Sequence, residues 1–320
     1  MTTKARPMDV PLRALRRAAV RASLAPSVLN TQPWHFTLRP DGLDILAEPE
    51  RHLRVLDPDR RQLTISIGCA LFNARVALCR DDLRAEIERL PDALGSRRYV
   101  AVEVCAGEDP CPGIGHLDAA IDLRQSVKGE FLAGPVAPAA LIHRLQAAAT
   151  AEGARLVSIT RAPERKVLIR LNERTDAIHR SKEPLLAEML MWGSATGSRR
   201  ERIIRGFRGE IDPGWAPIPV PDADTPMQRV LLLCTDGDDP ESWLRAGEAL
   251  ERVLLEAAAA GFTAALRAQM LEVEQARYVA RDELGLPGVP QVMLRLGKAA
   301  PQPRKRRRRL VDLISDSTQQ

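Results

Sequence analysis

The stretch Ala25-Pro26-Ser27-Val28-Leu29-Asn30-Thr31-Gln32-Pro33-Trp34-His35-Phe36 joins two differently patterned parts of the chain. An Arg- and Ala-rich region with helical spacing precedes it, and an alternating, strand-like region follows it. Its two prolines disfavour helix at the residues before them and stiffen a helix-to-strand turn. The polar side chains of Ser27, Asn30 and Gln32 either contact a ligand or satisfy backbone groups of the turn. From the residues alone, the second alternative is favoured.

The composition predicts a soluble globular protein, with 45% hydrophobic and 28% charged residues among 320. The net charge of +5 arises from one run of six basic residues at 304–309. Without these six of its 47 basic residues, the chain has one more acidic residue than basic ones. Because the rest of the chain is nearly neutral, the charge argues against a nucleic-acid partner.

The chain shows no pattern of a membrane, secreted or metal-binding protein. No apolar run approaches the ~20 residues that span a bilayer, and the first ten residues do not resemble a signal peptide. We therefore expect a cytoplasmic protein without a membrane partner. Its five cysteines have no zinc-ligand spacing, which predicts buried free thiols and no metal site. They are Cys69, Cys79, Cys105, Cys111 and Cys234.

Two segments of the chain repeat a short pattern. Ile67-Gly68-Cys69-Ala70-Leu71 and Ala246-Gly247-Glu248-Ala249-Leu250 both belong to predicted long helices, and a strand-like stretch follows each helix. The matching order predicts a duplicated α+β unit built around antiparallel sheets. The predicted parts of the chain are a first half over 1–108, a second half over 115–300, an insertion within it at about 183–215 and a basic C-terminal arm over 301–320.

A second motif, Arg124-Gln125-Ser126-Val127-Lys128-Gly129-Glu130-Phe131, carries cations at a regular spacing. Arg124, Ser126 and Lys128 would lie on the same side of an extended or newly turning chain. Guanidinium, hydroxyl and ammonium donors on one side suit a phosphate group. The alternative is a solvated polar loop.

Together the two motifs resemble those of FMN-dependent nitroreductases. The stretch 25–36 resembles their AP-S-x-x-N-x-Q-P-W signature, and 124–131 resembles the R-x-S-x-[KR]…F motif that holds the FMN phosphate. In ordinary members the phosphate motif comes first within one subunit, and each FMN lies between two paired subunits. Here the order is inverted, so each half of the chain keeps one complementary part of a site.

This organisation resembles the Acg-type branch of the nitroreductase superfamily over nearly the whole chain. The resemblance implies an α+β, nitroreductase-like fold with two similar antiparallel sheet-plus-helix halves packed as an internal pseudo-dimer. It implies one complete FMN site, one degenerate site and a monomeric protein. The implied cofactor-binding residues are Pro26, Ser27, Val28, Asn30, Gln32, Arg124, Ser126, Lys128, the ring-side turn residues Leu266, Arg267, Ala268 and Gln269, and the arm residues Arg304 and Arg306.

The resemblance also implies an activity. NAD(P)H would reduce the flavin, which would reduce a small conjugated or nitroaromatic acceptor, with no catalytic residue beyond the flavin itself. The alternative is a protein that binds or sequesters FMN with little reductase turnover, because the insertion at about 183–215 resembles a lid. A third, lower-ranked hypothesis is an interaction protein in which the basic run at 304–309 binds nucleic acid or acidic surfaces.

Overall fold

The computed structural model has an α+β fold. It describes residues 12–92, 96–105, 113–127, 131–132, 136–180, 183–194, 229–267, 269–301 and 305–317. The first elements are α1 (Leu12–Ala22), β1 (Trp34–Arg39), β2 (Gly42–Ala47), α2 (Arg61–Arg80), β3 (Arg84–Arg89), β4 (Arg98–Cys105) and α3 (Asp118–Leu123). Buried and half-buried residues alternate along β1, as expected for a strand with one face on the core.

The second half repeats this succession of helix, strands and long helix. Its elements are α4 (Ala139–Ala151), β5 (Arg155–Ile159), α5 (Ala162–Arg180), α6 (Glu183–Ser194), β6 (Arg229–Thr235), α7 (Pro240–Ala259), β7 (Thr263–Arg267), α8 (Gln269–Glu272), α9 (Glu274–Leu284) and β8 (Val289–Gly297). A last short strand, β9 (Ile314–Asp316), follows the basic arm. Single 3₁₀ turns occupy Val28–Asn30, Pro49–Arg51, Gly115–Leu117 and Leu310–Asp312.

The two sheets have the same strand order. In the first sheet the order is β3-β4-β2-β1, with β9 added in parallel beside β1. In the second it is β7-β8-β6-β5. A long helix, α2 or α7, connects the second and third strands of each set. The repeated order supports the predicted internal pseudo-dimer, while the predicted limits of its parts stay predictions.

The long helices α2 and α7 pack directly on each other at the repeated glycines. A Cβ on Gly68 would lie 2.1 Å from the Leu244 carbonyl oxygen and 2.8 Å from the Gly247 Cα. In the opposite direction, a Cβ on Gly247 would lie 2.1 Å from the Ile65 carbonyl oxygen and 2.8 Å from the Gly68 Cα. The two backbones touch because neither residue has a side chain. The short repeat in the sequence therefore marks the contact between the halves.

Both long helices begin after a short acidic side chain. The Asp57 carboxylate accepts hydrogen bonds from the N–H groups of Gln62 and Leu63, each at 2.9 Å. The Asp239 carboxylate accepts from the Ser242 N–H at 2.9 Å. These carboxylates satisfy N–H groups that have no partner within the helix. Both helix starts are thus encoded locally.

The helix α2 is long and apolar enough to cross a membrane by length and composition alone. The expectation that no stretch reaches this length is therefore wrong. However, 94% of its apolar window is buried inside the fold, as in the core helix of a soluble protein. Its apolar composition follows from burial on nearly all sides.

The cysteines differ from the prediction at one position. Cys69, Cys105 and Cys234 are buried free thiols, as expected. Cys79 is disulfide-bonded, so the prediction of free thiols is wrong there. Scattered spacing does not reveal such a bond, because pairing depends on distance in the folded chain. Among the residues that the structure describes, no group of three or more His, Cys, Asp or Glu side chains could hold a metal ion.

Candidate functional site

The turn that follows α1 has an unusual backbone. Three of its residues have left-handed φ angles: Leu29 (45°), Asn30 (59°) and Gln32 (49°). Such angles are disfavoured for residues other than glycine and persist only where surrounding contacts enforce them. The Ser27 hydroxyl supplies one such contact, because it accepts a hydrogen bond from the Gln32 N–H at 2.9 Å. A second comes from α2, where the Ser66 hydroxyl accepts from the Val28 N–H at 3.2 Å.

The basic arm lies directly on this turn. The Arg306 carbonyl accepts a hydrogen bond from the Asn30 side-chain amide at 3.0 Å, while the Arg306 side chain is exposed. The Arg307 guanidinium turns inward and donates to the carbonyls of Leu24 (2.7 Å) and Ala25 (2.9 Å). The sequence suggested that Arg304 and Arg306 of the arm would reach the site. In the described part of the arm, Arg307 is the residue that reaches it. The preferred candidate from the sequence, Arg304, lies outside the described residues.

Arg308 fixes the arm to the first sheet. Its guanidinium donates to the carbonyls of Gln32 and Trp34, each at 3.1 Å, and forms an ion pair with Glu48 at 2.8 Å. The backbone N–H of Arg308 donates to the Gln32 side-chain oxygen at 2.9 Å. The amides of Asn30 and Gln32 are thus bound to the arm. Pro26 and Val28 are half-buried on the same turn.

Arg124, from the second motif, reaches the same place. Its guanidinium donates to the Ser126 hydroxyl at 3.1 Å and to the Leu24 carbonyl at 3.3 Å. The Leu24 carbonyl therefore accepts from both Arg124 and Arg307. Three stretches that are far apart in sequence meet here. They are the turn between α1 and β1 (residues 23–33, the Pro-Ser turn), the motif that begins at Arg124 (the Arg-Ser motif) and the basic arm.

The Arg-Ser motif also lies beside the predicted ring-side turn. Ser126 pairs with Ala264 of β7 in a parallel bridge, and the Val127 N–H donates to the Ala264 carbonyl at 3.1 Å. Leu266, near the end of β7, is half-buried. Lys128 and Ala268 lie outside the described residues, as do the side chains of Arg267 and Gln269.

A buried carboxyl that the sequence reasoning missed faces this cluster. Glu251, on α7, is fully buried, and its Oε1 lies 3.4 Å from the Arg124 Nε. Within the described part of the chain, neither of its carboxylate oxygens forms a hydrogen bond of good geometry, although the Asn73 side chain lies close enough to lower its pKa, and the Arg124 Nε likewise has no partner of good geometry. Burial raises the pKa of Glu251 to about 7, against the opposing effects of Arg124, Asn73 and Arg307. The available signal was its position one helical turn after Gly247, on the buried face.

The electrostatics of the cluster favour an anion. Burial and the neighbouring charge of Arg124 lower the pKa of Arg307 to about 10, while Glu251 opposes that shift. Two guanidinium groups held close together away from water repel each other, and a bound anion relieves this repulsion. With the hydroxyl of Ser126, they form a donor set suited to a phosphate.

The start of the predicted insertion covers the Pro-Ser turn. Leu185 of α6 is buried against Leu53 and Leu56, with the partly buried Val28 and Leu29 beside them. The Glu188 carboxylate accepts hydrogen bonds from two backbone N–H groups, that of Leu56 at 2.9 Å and that of Val55 at 3.2 Å. These contacts hold α6 against the turn, and a role as a lid stays a prediction. Residues 195–215 of the predicted insertion lie outside the described residues.

The corresponding turn of the second half is closed by ion pairs. It joins α4 to β5 through only three residues, 152–154. There Glu152 pairs with Arg75 (2.5 Å) and Arg252 (2.7 Å). Glu248 of α7 pairs with the same Arg75 at 2.6 Å. These ion pairs occupy the turn in the second half, and the degeneracy of the second site stays a prediction.

Comparisons with known proteins place the chain in a family. No family model matches it. The Mycobacterium tuberculosis protein named "Putative NAD(P)H nitroreductase Rv3131" is 32% identical over 323 residues, which cover 94% of this chain and 90% of that protein. The acg protein of the same organism, named in the same way, is 24% identical over 296 residues, 89% of each chain.

Solved structures resemble the chain more weakly. A Bacteroides fragilis nitroreductase with bound FMN is 16% identical, covering 59% of this chain and 92% of that one, with a TM-score of 0.38. A TM-score this low does not by itself establish a shared fold. The relationship to Rv3131 extends over nearly the full length of both proteins. On that ground, the chain belongs to the nitroreductase superfamily, together with the Acg-type proteins.

Proposed function

We propose that this protein is an FMN-dependent NAD(P)H oxidoreductase of the nitroreductase type, acting on a small conjugated or nitroaromatic acceptor. The observation that carries the proposal is the meeting of Arg124 and Arg307 at the Leu24 carbonyl, with the Ser126 hydroxyl bound to the same Arg124 guanidinium. The relatives named NAD(P)H nitroreductases support the same activity. The internal pseudo-dimer that the sequence predicts would supply both parts of the FMN site within one cytoplasmic monomer.

The residues of the cluster fit a flavin phosphate. The Arg124 Nε is buried without a hydrogen-bond partner among the described residues, and buried donors are normally satisfied. Guanidinium groups bind phosphate oxygens in pairs, and the Ser126 hydroxyl can donate to a third. We assign phosphate binding to Arg124, Ser126 and Arg307, with Lys128 following in the same motif.

The other predicted contacts take different roles. FMN, when bound, supplies hydride transfer, and the protein supplies binding, orientation and electrostatics. Backbone N–H groups at 266–269 would lie beside the ring, and Ser27 would face it from the first half. Asn30 and Gln32 would act indirectly, because their amides hold the basic arm in place. Arg304 and Arg306 remain candidates for further positive charge near the phosphate.

An absorbance spectrum of the purified protein tests the proposal. The expected result is a yellow protein with about one FMN per chain, since only one of the two sites is complete. NADPH added without oxygen should bleach it within seconds. A colourless protein that cannot be loaded with FMN would overturn both the cofactor and the activity.

Replacing Arg124 should weaken FMN binding. Arg124→Ala removes a charge-assisted contact to the phosphate, which corresponds to about 2 kcal/mol or about 30-fold in the dissociation constant. Quenching of flavin fluorescence on titration measures the effect. Arg245→Ala is the matched control, because Arg245 pairs with Glu241 on the surface at 2.9 Å. An unchanged affinity in Arg124→Ala would remove this residue from the phosphate site.

The second candidate function, FMN storage, is favoured by the position of α6 over the turn. If α6 limits access to the flavin, Glu188→Ala should accelerate bleaching by NADPH. Loss of charge-assisted hydrogen bonds of about 1.4 kcal/mol would increase the open population about tenfold. Stopped-flow absorbance measures the rate, and Glu183→Ala, at the exposed start of α6, is the control. Equal rates in wild type and Glu188→Ala would mean that α6 does not control access.

A further inference from the structure

Glu251 is a buried acid to which the proposed flavin chemistry assigns no role. It extends from α7, in the layer between the two halves, toward the Arg124 guanidinium. Its side chain is 0% exposed, and that of Arg124 is 7% exposed. Their closest approach, 3.4 Å, is an ion pair without a hydrogen bond of good geometry. The contact is therefore incomplete on both sides.

A neighbouring glutamate shows that this incompleteness is specific. Glu248, one helical turn earlier on α7, is 1% exposed and so equally buried. Its carboxylate accepts from Arg75 at 2.6 Å and from Arg89 at 2.7 Å. A buried carboxylate in this helix can thus be fully paired. At Glu251 the partner, Arg124, is shared with Ser126 and the Leu24 carbonyl.

The described groups that face Glu251 come from three other segments. From α2 they are Cys69 and Asn73, and from the motif after α3 and the basic arm they are Arg124 and Arg307. Burial raises the pKa of the Cys69 thiol well above its ordinary value, so that this group stays neutral. The Asn73 amide is also neutral. Among the described groups, the charge on Glu251 is therefore balanced by the two guanidinium groups.

A phosphate would compete with Glu251 for these guanidinium groups. Arg124, Arg307 and an ionised Glu251 together carry one positive charge. A phosphate monoester carries two negative charges above about pH 6, so its arrival beside these three described groups would leave one negative charge in excess among them. Taking one proton from solvent onto a Glu251 carboxylate oxygen restores neutrality. Like charges in a buried place favour this protonation.

We infer that Glu251 is a positioning residue that couples phosphate binding to proton uptake: its carboxylate holds Arg124 in the phosphate-free protein and is protonated when a flavin phosphate takes that guanidinium. This inference rests on the proposed function, because it concerns the same site. It assigns to the site a dependence on pH that the phosphate ligands alone do not have. FMN would be held more tightly as the pH falls toward neutrality.

The direction of the effect follows from the two protonation states. The pKa of Glu251 is about 7 in the phosphate-free protein, and the phosphate raises it further. Below about pH 7 the group is protonated with or without FMN, so affinity does not depend on its titration. Above pH 7 binding must take up a proton, and affinity falls until the pH exceeds the pKa of the bound form. A rise of about one unit would weaken binding about tenfold.

Titrations of FMN at pH 7.0 and pH 8.5 test the inference in wild type, Glu251→Gln and Glu248→Gln. For a pKa that rises by about one unit, wild type should bind about fourfold more weakly at the higher pH, because Glu251 is already half ionised at pH 7.0. Glu251→Gln should show equal affinity at both and bind more tightly than wild type at pH 8.5, an effect that structural damage does not produce. Glu248→Gln, the matched control, should keep the slope of wild type. Riboflavin, which lacks the phosphate, should show no slope in any variant.

Calorimetry of wild type alone gives a second readout. FMN titrations in buffers of different ionisation enthalpy should report uptake of a fraction of a proton per flavin near pH 8, and none with riboflavin. If wild type and Glu251→Gln share one slope, or if no proton is taken up, the inference is wrong while the proposed function stands. If wild type binds no FMN at either pH, the proposed function fails, and the inference fails with it.

Discussion

Replacing Gly68 with alanine is expected to destabilise the protein by about 3 kcal/mol, the upper part of the range for overpacking a core. The new methyl group would lie 2.1 Å from the Leu244 carbonyl oxygen and 2.8 Å from the Gly247 Cα. Both are backbone atoms of α7, which cannot turn away as a flexible side chain can. The helices α2 and α7 would have to separate, and the two halves would move apart with them.

Equilibrium unfolding in urea, followed by circular dichroism, measures this loss. Gly247→Ala should cost a similar amount, because the contact is reciprocal: its methyl group would lie 2.1 Å from the Ile65 carbonyl oxygen. Ala259→Ser, at the exposed end of α7, is the control. If either glycine variant kept the stability of wild type, the helices would not be in contact at these glycines.

Replacing Arg308 with alanine is expected to cost about 3 kcal/mol of stability. Its guanidinium is largely buried and satisfies two carbonyls, those of Gln32 and Trp34, as well as Glu48. Its removal takes this donor from both carbonyls and leaves Glu48 with its remaining ion pair to Arg51 at 3.1 Å. Because Gln32 belongs to the Pro-Ser turn, the variant should also lose affinity for FMN.

The adjacent arginine provides the matched control. Arg309 is 78% exposed and, among the described residues, pairs with Asp312, three residues further on. Arg309→Ala should therefore leave both the unfolding transition and FMN affinity unchanged. Thermal unfolding of the two variants compares them directly. Equal melting temperatures would mean that the basic run is a solvated tail.

The superfamily and the α+β fold could be predicted because their signals are local. Two prolines mark the turn before β1, and the Arg-Ser motif identifies the facing part of the site. The strand β3 was not predicted, since Arg-Ala-Glu-Ile-Glu-Arg at 84–89 is rich in residues that favour helix. It forms a strand because it pairs with β4 at the edge of the sheet. Tertiary pairing there outweighs local preference.

The parts of the site that the sequence did not reveal depend on tertiary contacts. Within the basic run, nothing distinguishes Arg307 and Arg308, which turn inward, from the exposed Arg306 and Arg309. Their orientation is set by carbonyls of the Pro-Ser turn, more than 270 residues away in the chain. Glu251 is equally inconspicuous, because one acidic residue in a charged helix normally faces solvent. The predicted roles of Lys128 and Arg304 stay predictions.

The pairing of β9 with β1 has a consequence for synthesis. Thr37 and Ser315 are neighbours across these strands but lie 278 residues apart in the chain. At ribosomal rates of about 5–20 residues per second, the outer edge of β1 stays uncovered for roughly 15 to 55 seconds. An uncovered strand edge is a template for pairing with another chain. A chain that stopped before Ile314 would keep that edge open permanently, so the solubility of the first half depends on a segment made 278 residues later.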